Sequence, residues 1–102
     1  METCLMVEWD TPKDDERWKG YWKFSEKSLP YIEKMKKEGT IKHYFFWSDN
    51  TGHVVFLIFF EDEHKFAKLW GDDQYQKIAS GATNYFDNTR IRLMRPSATT
   101  PE

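Results

Sequence analysis

The run VVFLIFF, residues 54–60, is apolar at every position. A strand with one wet face alternates apolar and polar residues. One that does not alternate is covered on both faces. β-Branched and aromatic residues dominate the run, which favours a strand over a helix. Just upstream, IKHYFFW (residues 41–47) has the same character. Between the two lies Asp49-Asn50-Thr51-Gly52, a reversal signal in which Asn and Gly tolerate positive φ. Residues 40–61 therefore predict an antiparallel hairpin. A chain of 102 residues has few other elements with which to cover two faces, so this hairpin predicts a partner subunit.

Loop length sets the register. A two- or four-residue loop places Trp47 opposite Val54, Phe45 opposite Phe56 and His43 opposite Ile58. Tyr44 and Phe46 then share the other face with Val55 and Leu57. A three-residue loop exchanges the faces.

Residues 3–9, TCLMVEW, predict a first strand with Leu5, Val7 and Trp9 on one face and Cys4, Met6 and Glu8 on the other. Pro12 ends it. Residues 14–38 predict a helix. Its first residues, Asp14, Asp15 and Glu16, suit a helix N-terminus. Trp18, Tyr21, Trp22, Ser25, Leu29, Ile32 and Met35 or Lys36 repeat at spacings of three and four, the stripe of a core-facing helix. Pro30 predicts a kink or break near Ser28, with Ser28 capping the second segment. Gly39 ends the helix.

Residues 62–80 predict a second helix capped by Asp62, with Phe66, Leu69 and Trp70 inward. It is interrupted at Gly71-Asp72-Asp73 and resumed with Tyr75, Ile78 and Ala79. A loop over residues 81–88 carries Tyr85 and Phe86. Residues 89–94 predict the last strand, with Ile91 and Leu93 on one face and Arg90, Arg92 and Met94 on the other. One domain is expected over residues 1–95, followed by a disordered polar tail, 96–102.

This order is β-α-β-β-α-β. Two crossovers around a central hairpin predict an α+β, ferredoxin-like sandwich with an antiparallel sheet in the order 4-1-3-2 and both helices on one face. The uncovered face, with Met6, Met94 and one side of the hairpin, is more apolar than a monomer normally exposes. Two such faces packed together predict a homodimer.

The short first strand, the helix ending in KKEGTIKHYFFW, the hairpin and the segment FEDEHKFAKLWGDDQYQKI resemble the dimeric α+β barrel superfamily over about residues 5–94. That superfamily includes antibiotic-biosynthesis-type monooxygenases, haem-degrading monooxygenases, muconolactone-isomerase-like proteins and many members of unknown activity. The resemblance implies a homodimer with sheets packed face to face and a pocket between helices and sheet. It speaks to fold more than to activity, since one scaffold hosts many functions. The haem-degrading branch uses an Asn on strand one and a Trp and a His around helix two. Here strand one has no Asn; Trp70 matches the Trp, but His43, His53 and His64 all precede it. No isomerase motif is present.

The net charge of −2 gives no reason to expect a nucleic-acid partner. Lys34, Lys36 and Lys37 are flanked by Glu33 and Glu38 and read as a solvated helix face. Cys4 is the single cysteine, so no internal disulfide and no cysteine cluster for zinc is possible. No run approaches the roughly 18 apolar residues of a membrane span. No signal peptide is visible, and the expected location is cytoplasmic. No nucleotide-binding or hydrolase motif occurs, and the three His lie on separate elements, so neither cofactor nor metal is expected.

Five Trp, five Tyr and eight Phe are many for this length, and aromatics build either cores or pockets. Trp9, Trp22, Trp70, Tyr75 and Tyr85 are candidates to line a cavity between helices and sheet. Trp70 precedes the helix break at Gly71, and Tyr85 lies on the loop passing that end of the sheet, so these two are expected to border it. His43, mid-strand among aromatics, is the candidate acid or base if its face is the helix-covered one. His53 and His64 are expected to be exposed. Glu8 interrupts an apolar strand. It is expected to pair with Arg90 or Arg92 on the neighbouring strand, or to line the pocket. Two functions follow. One is a homodimer binding an apolar or aromatic small molecule, acting as a cofactor-independent monooxygenase or an isomerase. The other is a non-enzymatic ligand-binding or structural dimer.

Overall fold

A computed structural model describes residues 2–97. It contains β1 (Thr3–Asp10), α1 (Asp15–Lys37), β2 (His43–Ser48), β3 (His53–Phe60), α2 (Glu63–Trp70), α3 (Asp73–Ala82) and β4 (Asp87–Met94). The strands form one antiparallel sheet in the order β2-β3-β1-β4, as the crossover argument requires. The helices cover one face. Of the tail expected over residues 96–102, residues 98–102 lie outside the described residues.

Helix ends follow the local chemistry. Asp14, Asp62 and Asp72 cap α1, α2 and α3, each accepting from the backbone N–H three residues on. At the end of α1, Gly39 turns the chain with φ 81. The Gly39 N–H donates to Lys36 O and the Thr40 N–H to Met35 O, a Schellman closure. The break between α2 and α3 falls at Gly71 and Asp72, as expected.

Two features depart from expectation. Pro30 lies inside α1, yet the helix is continuous from Asp15 to Lys37. The proline removes one helix bond, to Glu26, and both residues are exposed, so water can satisfy the freed carbonyl. Tyr31, Ile32 and Met35, all buried, hold the turn that follows. Ser28 caps nothing; its hydroxyl donates to Ser25 O.

The hairpin register is also one residue away from the pairing that a two- or four-residue loop gives. His43 pairs with Phe59, Tyr44 with Ile58, Phe46 with Phe56 and Trp47 with Val55. The reversal is a three-residue loop, Asn50-Thr51-Gly52, closed by Asp49 N–H donating to His53 O. Gly52 has φ 89, the position where such a loop needs glycine. Its carbonyl accepts from both the N–H and the hydroxyl of Thr11, which pins the turn to the end of β1.

This register decides both faces. Toward the helices point Leu5, Val7 and Trp9 of β1, Tyr44 and Phe46 of β2, and Val54, Phe56, Ile58 and Phe60 of β3. The open face carries Met6, His43, Phe45, Trp47, Leu57 and Phe59, together with Glu8, Arg90 and Arg92. Under the helices the core has two parts. One gathers Leu5, Ile32, Met35, Ile58, Phe60 and Leu69; the other is Trp9, Tyr21 and Val54.

Candidate functional site

Between α1, α3 and the sheet lies a cavity of about 530 Å³. That volume is in the range of small-molecule sites. Each wall follows from one element. The sheet supplies Val7, Trp9, Phe46, Val54 and Phe56. Helix α1 supplies Trp18, Tyr21, Trp22 and Leu29, one continuous side of the helix at spacings of three, four and seven. Helix α3 supplies Tyr75 and Ile78, with the small residues Ala79 and Ala82. Large rings on α1 thus share the cavity with two alanines on α3, which leave space that larger side chains would fill.

The stripe of α1 divides into two roles. Tyr21, Ile32 and Met35 are buried, but Trp18 is 40% exposed, Trp22 52% and Leu29 40%. These three edge the opening rather than fill the core. Phe46, 46% exposed, stacks on Phe56 with ring centroids 4.1 Å apart and edges the opening from the sheet side.

At the closed end Trp9 stacks on Phe86, with centroids 4.0 Å apart and planes 6° from parallel. The Trp9 Nε1–H donates to the Tyr21 hydroxyl at 3.1 Å. Trp18 stacks on Tyr21, and Trp22 meets it edge-on. Burial pushes the Tyr21 phenol pKa up, partly offset by the Trp9 hydrogen bond; burial also raises that of Tyr75. Both phenols are neutral at pH 7. Asp49 is the one carboxylate on the wall among the described residues. The Thr51 hydroxyl and the Thr51 and His53 amides hold it below the usual carboxylate range. Among the described residues no Lys, Arg or His lines the cavity.

Of the aromatics expected at the cavity, Trp9, Trp22 and Tyr75 line it. Trp70 and Tyr85 are not on its wall. Trp70 sits behind Tyr75, ring to ring at 5.8 Å. Tyr85 packs over Gly20 and against Phe24, and its neighbour Phe86 takes the inward place. His43 lies on the open face against Phe59, centroids 4.5 Å apart, with the sheet between it and the cavity. Trp18, Tyr21, Phe46 and Phe86 also line it; the helical spacing marks the first two but does not separate core from opening.

Glu8 is also on the open face. It lies opposite Arg90 in register, as expected, but its ionic contact is with His53 Nε2 at 3.4 Å. Among the described residues no salt bridge joins it to Arg90 or Arg92. The reason is the Asp10–His53 pair: His53 Nδ1 lies 2.8 Å from Asp10 Oδ1, which brings the ring beside Glu8 two residues along the same face. Both arginines are exposed. His53, expected to be exposed, is thus half-buried between two carboxylates. The Asp10 hydrogen bond is the main cause of its raised pKa. Among the described residues no group of three or more His, Cys, Asp or Glu is placed to hold a metal ion. No helix among the described residues is long and apolar enough to cross a membrane.

No protein-family model matches the sequence, and no curated protein matches it. Solved structures do match. A conserved protein from Methanosarcina mazei Go1 is 19% identical, with a TM-score of 0.75 over 95% of this chain and 94% of that one. SnoaB, a cofactor-independent oxygenase from Streptomyces nogalater, is 10% identical, with a TM-score of 0.73 over 99% and 98%. A dimeric ferredoxin-like protein of unknown function from Jannaschia sp. CCS1 is 8% identical, with a TM-score of 0.72 over 93% and 99%. At these identities the likeness is one of fold, an α+β ferredoxin-like sandwich.

Proposed function

We propose that the chain is a homodimer that binds an apolar or aromatic small molecule in the cavity between α1, α3 and the sheet of each subunit. The cavity carries this reading: about 530 Å³, walled by tryptophan, tyrosine and phenylalanine, with small residues opposite. Half-exposed rings at an opening are costly to leave in water and suited to close over a flat apolar ligand. Ala79→Phe places a ring in the space. The expected result is a stable variant that no longer gives the thermal shift that 9-fluorenone gives the wild type. A shift unchanged in the variant overturns the reading.

The dimer reading rests on the open sheet face. Phe45 is 47% exposed and Trp47 64%, beside Met6, Leu57 and Phe59 on the same face. Face-to-face packing of two copies removes that surface from water, and a stable interface of this kind buries about 1,600 Å² or more in total. The Jannaschia protein of the same fold is described as dimeric. Light scattering should give twice 12.3 kDa, and Leu57→Asp should abolish the dimer. A 12.3 kDa species at micromolar concentration refutes it.

An oxygenase reading draws its support from the fold shared with SnoaB and from the aromatic wall. Against it stands the lack of any cavity-lining histidine to move a proton near neutrality. Oxygen uptake with a bound phenol or anthrone supports the enzyme; binding without uptake leaves a binding module.

A further inference from the structure

Given that cavity reading, on which this step rests, we infer that Tyr21 is its ligand-orienting donor and that the ligand is uncharged and carries a carbonyl-type acceptor oxygen. A phenol hydroxyl has one proton to give and can accept from a donor. The Tyr21 oxygen already accepts from Trp9 Nε1 at 3.1 Å. Among the described residues no acceptor takes its proton. Tyr21 is 6% exposed, so that proton has little open water to meet, and buried donors are normally paired. A ligand acceptor in the cavity supplies the missing partner.

The donor is also held in place. Trp18 stacks parallel to its ring at 5.8 Å, Trp22 meets it edge-on at 5.6 Å, and Phe86 packs at 5.7 Å. With the oxygen held by Trp9, the direction left for the O–H is restricted before a ligand arrives, which lowers the ordering cost of binding. Three other wall hydroxyls already donate to backbone carbonyls: Thr11 to Gly52, Ser28 to Ser25 and Thr83 to Ser80. Tyr75, also buried on the wall, is the competing phenol, but among the described residues its oxygen is not held by a donor as that of Tyr21 is by Trp9.

Charge narrows the class. Among the described residues the wall offers an anion no Lys, Arg or His. Among them its one carboxylate is Asp49, whose Oδ1 already accepts from Thr51 and His53. An ion entering would lose its hydration without a counter-charge. A neutral carbonyl needs only one donor, and Tyr21 provides it.

The test compares 9-fluorenone with fluorene, the same flat tricycle with and without a carbonyl, by calorimetric titration of the full-length protein. The wild type should prefer fluorenone by about five- to tenfold, the effect of one neutral hydrogen bond. Its carbonyl stretch in the infrared should move to lower wavenumber on binding. In Tyr21→Phe the preference and the infrared shift should vanish while fluorene affinity is retained, which also shows the variant is folded. Equal wild-type affinity for the two probes overturns this inference and leaves the cavity reading standing. A preference that survives Tyr21→Phe, or is lost only in Tyr75→Phe, overturns the assignment to Tyr21. Failure of both probes to bind the wild type overturns the cavity reading, and the inference with it.

Discussion

Two helical glycines should respond in opposite directions to the same substitution. An alanine Cβ at Gly20 of α1 would lie 2.3 Å from Tyr85 Cε1 and 3.0 Å from Cζ. Carbon atoms in contact prefer about 3.5–4.0 Å, so the overlap exceeds an ångström. The obstacle is a ring rather than a flexible tip, and it packs against Phe24 at 5.9 Å. Overpacking of this kind costs about 1–3 kcal/mol. Removing glycine from a helix returns about 0.8–1.0 kcal/mol. The net is a loss of about 1 kcal/mol, or a Tm lower by about 4–8 °C for a domain of this size. At Gly81 of α3 the new Cβ meets Phe24 Cε2 at 3.4 Å, an ordinary contact, so only the helix gain remains. Gly81→Ala should raise Tm by a few degrees. Scanning calorimetry at one fixed protein concentration measures both, so that self-association contributes equally to each comparison. In a Tyr85→Ala background the Gly20→Ala penalty should disappear, giving a coupling of about 1–3 kcal/mol. A Gly20→Ala protein as stable as the wild type, or no coupling to Tyr85, refutes the packing argument.

Trp22→Ala removes a ring that is 52% exposed at the cavity opening; stability should change by under about 1 kcal/mol, while fluorene affinity falls severalfold by titration. Gly52→Ala combines φ 89 with a Cβ 2.7 Å from Thr11 Oγ1; chemical denaturation should show a loss of about 1–3 kcal/mol, and an unchanged midpoint would refute the strain. His53 should titrate above its ordinary 6.5 because Asp10 favours the protonated ring. Its contribution to stability is therefore full below about pH 6.5 and is lost as pH rises through the folded value. Asp10 is shifted down, first by Asn88 and then by His53, so its contribution is lost as pH falls below 3.8. A proton NMR titration should place the His53 midpoint above 6.5 and show Asp10→Asn lowering it; a wild-type midpoint below 6.5 refutes the pairing.

Element order was legible because each signal is local. Period-two runs, helical spacing, Asp caps and the Gly71-Asp72 break each act over a few residues. The hairpin faces were not, because Asn50-Thr51-Gly52 and its neighbours fit loops of two, three or four residues. The glycine at the third position, pinned by Thr11 some forty residues away, selects one of them. That choice sends His43 to the open face and Phe46 to the cavity. Spacing along α1 identifies its inward side but not its distance from the sheet, so Trp18 and Trp22 read as core like Ile32. In the loop before β4 no period exists. Which of Tyr85 and Phe86 turns inward depends on the room Gly20 leaves for the other.

An apolar gap of this size would be expected to collapse, since each wall ring gains contacts by closing it. Helix α1 is held apart from the sheet because it is fixed at both ends. Near its N-terminus, Arg17 donates to Asp87 at 2.7 Å and to Asn84 O at 3.2 Å, joining the helix to the start of β4. Toward its C-terminus, Tyr31, Ile32 and Met35 pack into the larger core cluster, and the Tyr31 hydroxyl donates to Asp72 at the cap of α3. Tyr21 and Trp9 form the second cluster at the other end. The middle of the helix spans between two anchored regions like a beam, and its Trp22 and Leu29 face the opening. Closing the gap means breaking one anchor, and each contains packing or a charged hydrogen bond that the closure does not replace. The cavity is therefore a consequence of where the aromatic mass sits on α1, where alanines sit on α3 and where the helix is anchored.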